Sequence, residues 1–258
     1  MDFFTKLKDD FILNFVEDNR WKWLVDGLKN TLVITAFSLL LGLAIGVVIA
    51  IIRSTFDKNR EVYRKKGGVF YVFWWIINAI SNLYLTVIRG TPVVVQLLIA
   101  YFIIFASSRN GIAVAIFAFG LNSGAYVAEI IRGGIMSIDN GQFEAGRSLG
   151  FNYVQTMIYI IIPQVFKAIL PTLCNEFIVL IKETSVAGYV GIVDLTKAGE
   201  RIRGVTFTAF LPLLAVALIY LVVVIVLTQL VKILERRLRK NESYFKRYYR
   251  NSRSQEAL

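Results

Sequence analysis

Two stretches of this chain carry no charged residue for 21 positions each, Leu32–Ile52 and Leu211–Val231. A helix needs about 20 residues to cross the roughly 30 Å of bilayer hydrocarbon, so each run is long enough to span a membrane. Uncharged stretches at Gly67–Ile88, Gly90–Ser108 and Asn110–Ala128 lie between them. A soluble domain of 258 residues buries its core without such runs. The pattern therefore predicts an all-α, polytopic helical membrane protein.

The net charge of +11 is unevenly placed. Met1–Lys29 holds five basic and six acidic residues, Arg53–Lys66 six basic against Asp57 and Glu61, and Lys232–Leu258 nine basic and three acidic. Basic segments stay on the cytoplasmic side of spans. That rule puts the end of the first span and the C-terminus in the cytoplasm and the N-terminus outside, which requires an odd number of spans. Because the positive charge flanks apolar spans, topology and attraction to anionic lipid explain it, and nucleic acid is not an expected partner. The single cysteine, Cys174, excludes an internal disulfide, and the lack of histidine excludes His-based metal sites and triads.

Acids run through the N-terminal segment with no short apolar core before small residues, so it does not read as a cleavable signal. Phe3, Phe4, Leu7, Phe11, Phe15 and Val16 recur near helical spacing. Residues 1–24 thus read as an amphipathic, extracytoplasmic surface helix with Trp21 and Trp23 as interface anchors, the alternative being a frayed polar leader. A membrane-spanning domain is expected over 25–240 and a basic, partly disordered cytoplasmic tail over 241–258.

Span 1 is expected from Val25 to Ile52, with Gly42-x-x-x-Gly46 marking close helix packing, within the subunit or between two copies. Val69–Phe105 is too long for one upright helix, and Arg89-Gly90-Thr91-Pro92 interrupts it. Two separate spans there would give an even total; an interfacial start at Val69–Trp75 leading into one kinked span gives five. The charge asymmetry selects five. Span 3 then runs from Gly111 to Ile138 and holds Gly120-x-x-x-Gly124, span 4 starts near Lys167, and span 5 runs from Phe210 to Leu234.

Span 4 carries Thr172, Asn175, Glu176, Val179, Lys182 and Glu183 at helical steps, so they share one face. Charges inside a membrane are rare and face partners or a water-filled cavity. Two readings stand side by side. Either the stripe holds an internal ion pair, with Arg89 a candidate partner, or its carboxylates bind a substrate ammonium while Lys182 or Arg89 meets a carboxylate.

Asp139 followed by Gln142 has the spacing of a capping box, with Glu144 expected in the first turn and Gly150 in a left-handed turn that joins two short helices. On local physics this loop, about 139–163, is equally a connecting helix or a docking surface.

Several motifs go further. Glu144-Ala145-Gly146, Gly150 and Ile160-x-Ile162-Pro163 resemble the EAA loop of ABC importer permeases, and Gly27-Leu28-x-x-Thr31-Leu32, Arg89-Gly90-Thr91-Pro92 to Gln96, Ala125-Tyr126-x-x-Glu129-Ile130-x-Arg132-Gly133-Gly134, Asn175-Glu176-Phe177-Ile178 and Lys182-Glu183-Thr184-Ser185 resemble the polar amino acid uptake branch. Together they cover about residues 27–235. The resemblance implies a five-span permease in a prokaryotic plasma membrane. It also implies a second permease subunit, two ATP-binding cassette subunits that bind ATP and Mg, and an extracytoplasmic binding protein. Glu144, Ala145, Gly146 and Gly150 would then couple to the ATPase. Glu176, Asn175, Lys182, Glu183, Arg89 and Gln96 would line the path of a polar amino acid. Gly146 stands where the family's loop usually has alanine, and Ile162 where leucine is common.

No Gly-x-x-x-x-Gly-Lys-Ser/Thr loop is present, so the chain itself is not the expected ATPase and no cofactor is expected in it. A secondary transporter would show paired, interrupted helices in two inverted halves, and no such internal symmetry is visible.

Overall fold

The computed structural model describes residues 3–256, so Met1, Asp2, Ala257 and Leu258 lie outside the described residues. The chain begins with α1 (Phe3–Phe11), followed by a wide turn at Ile12–Val16. This segment is anchored. The Asn14 amide is fully buried, and its Oδ1 accepts from Thr206 Oγ1 at 2.8 Å and Thr208 Oγ1 at 2.7 Å. Asp18 and Asn19 turn the chain with φ of 51° and 54°, a conformation that their short polar side chains tolerate. Trp21 is exposed, but Trp23 is packed beneath the Arg201 guanidinium, 4.1 Å from its ring centroid.

The helix α2 (Trp21–Lys66) is 46 residues long. At about 1.5 Å per residue it measures roughly 69 Å, more than twice the hydrocarbon thickness. The expected end of the first span at Ile52 is therefore not the end of its helix. Arg53, Lys58, Arg60, Glu61, Arg64 and Lys65 leave lipid readily, but they are good helix formers, and no glycine or proline interrupts them. Termination comes at Gly67 and Gly68, both with positive φ (59° and 63°), which reverse the chain into α3 (Gly68–Gly90).

The interruption at Thr91-Pro92 is a break in extended conformation, after which α4 (Val93–Ile99) and a wide turn at Ala100–Ile104 continue. Then α5 (Gly111–Met136) returns, with the Asn110 side chain capping its start. The short helices α6 (Asn140–Ser148) and α7 (Tyr153–Thr156) follow. A wide turn at Met157–Ile161 joins α7 to α8 (Ile162–Glu183), just before Pro163, which has no N–H to give it. Span 4 therefore begins well before Lys167. After a 3₁₀ segment at Thr184–Val190 come α9 (Leu195–Thr206) and α10 (Phe210–Glu256), which continues helical through the described part of the tail. Among the described residues, five helical runs are long and apolar enough to cross a membrane: Trp21–Lys65, Gly68–Gly90, Gly111–Met136, Tyr153–Val190 and Phe210–Arg237.

The buried Asp194 caps α9, accepting from the backbone N–H groups of Thr196 and Lys197, both at 3.0 Å. Burial pushes its carboxyl above the ordinary range, and these donated hydrogen bonds work against that rise. The Asp194 carbonyl also lies against Gly27, which ties α9 to the start of α2.

The core rests on α2 against α5. Their small-residue motifs interlock within the one subunit. A Cβ at Gly42 would lie 3.0 Å from Ser123 Cβ, at Gly46 2.5 Å from Val127 Cγ1, at Gly120 2.7 Å from Leu41 Cδ2, and at Gly124 3.1 Å from Ile45 Cβ. Ser38 Oγ, on the same line, donates to the Ile116 carbonyl at 3.2 Å. Backbones that approach this closely gain dispersion contacts, which drive helix association where lipid removes the hydrophobic advantage. Phe119, Ile34, Leu97 and Leu180 complete the central cluster and are fully buried.

Gly46→Ala is expected to destabilise the protein by about 1–3 kcal/mol, as overpacked cores do. Gly133→Ala, which meets nothing within 4 Å, should be neutral or stabilising. Thermal unfolding of both variants in one detergent checks this; equal melting temperatures would show that the α2–α5 contact is not tight.

Candidate functional site

Polar side chains meet on α5 halfway along its length. Residues 121–123 lie 10 to 12 positions from its start at Gly111, or about 15–18 Å along the axis. Three other helices reach this level. Tyr84 Oη of α3 donates to the Leu121 carbonyl at 2.6 Å, Asn122 Nδ2 donates to Gln96 Oε1 of α4 at 3.1 Å, and Ser123 Oγ donates to Glu176 Oε1 of α8 at 3.1 Å. Asn122 and Ser123 are themselves buried.

Gln96 has a structural part here. Its Nε2 donates to the Ile88 carbonyl at 2.7 Å, to the Thr91 carbonyl at 3.1 Å and to Thr91 Oγ1 at 2.8 Å. The break at Thr91-Pro92 leaves carbonyls without intrahelical donors, and one amide side chain satisfies two of them. Its own oxygen is taken up by Asn122, so the interruption is sealed to α5.

On α8 the polar stripe runs from an open edge to the contact with α5, where Glu176 meets Ser123. Ile178, Leu180 and Ile181 are buried, Asn175 and Lys182 are exposed, and Glu176 and Glu183 are half-buried. Leu170, Leu173 and Phe177 line an apolar groove with Leu39, Leu43 and Leu230. The stripe and its apolar counterface are thus laid out as the spacing predicted.

Arg89 is placed elsewhere. It pairs with Glu129 at 3.8 Å, over the face of Tyr126. Arg89 and Glu176 thus have different partners: Glu176 accepts from Ser123. Glu129 gathers Arg132 at 3.2 Å and Arg53 at 3.9 Å as well, and Arg132 reaches Asp57 at 3.4 Å. This network joins α2, α3 and α5 toward the basic end of the bundle. Of the six residues expected along a substrate path, Glu176 and Gln96 converge on adjacent residues of α5, while Arg89 belongs to the ion network. Among the described residues no three His, Cys, Asp or Glu side chains converge on a point that could hold a metal.

The loop 139–163 is an ordered pair of short helices. Asp139 caps α6, accepting from the Gly141 N–H at 2.6 Å, but Gln142 does not close the box. Its Oε1 accepts from Gln164 instead, at 3.2 Å. The reciprocal box belongs to Asn152 and Gln155 at α7, with both bonds at 2.9 Å. With Asp139 as cap, Glu144 falls in the second turn rather than the first. Gly150 takes φ of 80°, and the Phe151 N–H closes back on the Gly146 carbonyl at 3.0 Å. Glu144, Ala145, Arg147, Ser148 and Leu149 are exposed, whereas Gly146 is buried.

Gly146 has a steric reason. A Cβ there would stand 2.6 Å from Thr156 Oγ1 and 2.7 Å from its Cγ2. The glycine lets α6 lie directly on α7, and the residue lost to helix propensity is regained in contact.

This architecture has relatives. Residues 68–240 match the family model described as binding-protein-dependent transport system inner membrane component. The chain belongs to that family. It is 36% identical over 223 residues to the arginine transport system permease protein ArtQ of Bacillus subtilis, covering 85% of this chain and 94% of that one. It is 37% identical over 220 residues to the glutamine transport system permease protein GlnP of Escherichia coli K12, covering 84% and 93%. Among solved structures, an amino acid ABC transporter with histidines superposes with a TM-score of 0.73 at 35% identity, over 92% of this chain and 99% of that one. The inward-facing MetNI methionine ABC transporter shares the fold, with a TM-score of 0.69 at 19% identity over 86% and 98%. The chain is a multi-pass membrane protein of the permease type.

Asn122 and Ser123 escape a reading by charge because neither is charged, yet an Asn-Ser pair inside a 19-residue uncharged run is itself the signal. Gly146→Ala is expected to cost about 1–3 kcal/mol by overpacking against Thr156. Adding Thr156→Ala should restore most of that loss, a coupling that a double-mutant cycle of unfolding temperatures would measure.

Proposed function

We propose that this chain is the membrane-spanning permease subunit of an ATP-driven importer for a polar amino acid. The observation that carries the reading is α6. It is a short, capped helix that turns its buried glycine to α7 and leaves Glu144, Ala145 and Leu149 free at the surface. Such a helix is a compact knob for a groove in another protein. Here that protein is one of two ATP-binding cassette subunits, which bind ATP and Mg; this chain holds no cofactor and catalyses no reaction. A second permease subunit, identical or different, completes the pathway, and an extracytoplasmic binding protein delivers the substrate.

The basic stretches orient the chain in a prokaryotic plasma membrane, N-terminus outside and C-terminus in the cytoplasm. Closure of the ATPase pair would draw the two α6 helices together and alternate access across the membrane. Asn175 and Lys182 are exposed on α8, with Glu176 and Glu183 half-buried beside them, an arrangement whose carboxylates suit a substrate ammonium and whose Lys182 suits its carboxylate. Permeases for arginine and glutamine are among the chain's relatives, which supports a polar amino acid as the substrate class.

Reconstitution in proteoliposomes, with and without the ATPase and with a panel of labelled amino acids, tests this reading. Accumulation that needs both ATPase and ATP is expected. Accumulation by the chain alone, abolished by collapse of an ion gradient, would make it a secondary carrier. Glu144→Lys should leave the chain folded in the membrane while removing ATPase co-purification and uptake; retention of both would rule out docking through α6. Glu176→Gln should weaken uptake of cationic substrates by about tenfold, the scale of one charged hydrogen bond, with less effect on neutral ones. Unchanged kinetics across the panel would take Glu176 out of the binding site.

A further inference from the structure

The part of α2 that leaves the membrane has a task that its charge alone does not disclose. Lys58 Nζ donates to Asn140 Oδ1, the first residue of α6, at 2.8 Å, and it stands 4.6 Å from the ring centroid of Phe143, one turn further on. A cation over an aromatic face that also donates a hydrogen bond fixes both the position and the roll of the short helix. Asn59, Glu144, Arg147, Tyr153 and Thr156 line the same polar cavity of about 370 Å³ with them. Neighbouring turns of α2 are fastened to the spans: Arg53 to Glu129 and Asn82, and Asp57 to Arg132. Residues 53, 57 and 58 thus tie α3, α5 and α6 to one unbroken helix.

We propose that Lys58 is a positioning residue that fastens α6 to α2, so that displacement of α6 is transmitted directly into the α2–α5 core. Without this contact α6 keeps its chain connection at Asp139, its packing on α7 and the Gln142–Gln164 hydrogen bond to α8, but it loses its direct tie to α2. The proposal rests on α6 being the helix that meets the ATPase.

The test uses the assembled importer in proteoliposomes and reads two quantities: ATPase co-purification, and the ratio of substrate carried to ATP hydrolysed. Lys58→Met keeps the apolar stem and removes the donor and the charge. It should retain the ATPase and its hydrolysis while the ratio falls about three- to tenfold, the scale of losing a hydrogen bond and a cation–π contact. Lys58→Arg, which reaches both partners, should stay within about twofold of the parent, since it preserves those interactions. Asn140→Ala removes part of the contact from its other end and should lower the ratio in the same direction; it carries the test if Lys58→Met does not reach the membrane. An unchanged ratio in Lys58→Met would overturn the proposal. So would loss of the ATPase from that variant, which would make Lys58 a docking residue, or a Lys58→Arg ratio as low as that of Lys58→Met. Failure of the underlying docking reading shows separately, as a Glu144→Lys complex that still assembles and transports.

Discussion

Everything in this bundle hangs on the distance between α2 and α5. Four glycines, two on each helix, let the backbones approach until a single added methyl at Gly46 would overlap Val127. In lipid the gain from such contact is dispersion rather than water release, so it exists only where side chains are small enough to allow it. Because α2 and α5 are held in fixed register, residues far apart in sequence become neighbours at every level. Ser38 meets Ile116, and Arg53 meets Glu129. The polar belt and the ion network both inherit their geometry from that register.

The belt shows how a membrane protein solves a broken helix. Thr91-Pro92 frees backbone carbonyls between two helices, and Gln96 folds back to cover those of Ile88 and Thr91 while its oxygen receives Asn122. The adjacent Ser123 holds Glu176 from the other side. Structural repair of α3–α4 and the setting of a half-buried carboxylate on α8 thus depend on two consecutive residues of α5. Changes at Asn122 and at Ser123 would be felt on opposite sides of the bundle.

Much of this was legible in the residues. Uncharged runs and charge asymmetry predicted five spans, and the polar and apolar faces of α8 followed from helical spacing. The misreadings share a cause. The first span was expected to end at Ile52, and its helix runs on through Lys66, because charge bounds a span whereas glycines such as Gly67-Gly68 stop a helix. Span 4 was expected to start near Lys167, whereas a wide turn before Pro163 carries the helix on from the Asn152–Gln155 box, which starts it earlier. The reciprocal box was expected at Asp139–Gln142 because spacing cannot reveal that Gln142 would be drawn to Gln164. Arg89 was one candidate partner for the α8 stripe, yet it pairs with Glu129 of α5. Partners across helices are set by tilt and register, and a one-dimensional pattern carries neither. The asymmetry of Gly146, likewise, needed Thr156 beside it to make sense.

The ion network around Glu129 has an electrical side. Three guanidiniums, on Arg53, Arg89 and Arg132, face two carboxylates, on Asp57 and Glu129, so the group carries one unbalanced positive charge. Carrying one elementary charge across 100 mV is worth about 2.3 kcal/mol. A rearrangement that shifted this network along the membrane normal would do work against, or draw work from, the cell's resting potential. Any motion of the bundle that moved this network would then be sensitive to voltage, and its balance point would vary with the energetic state of the membrane it sits in.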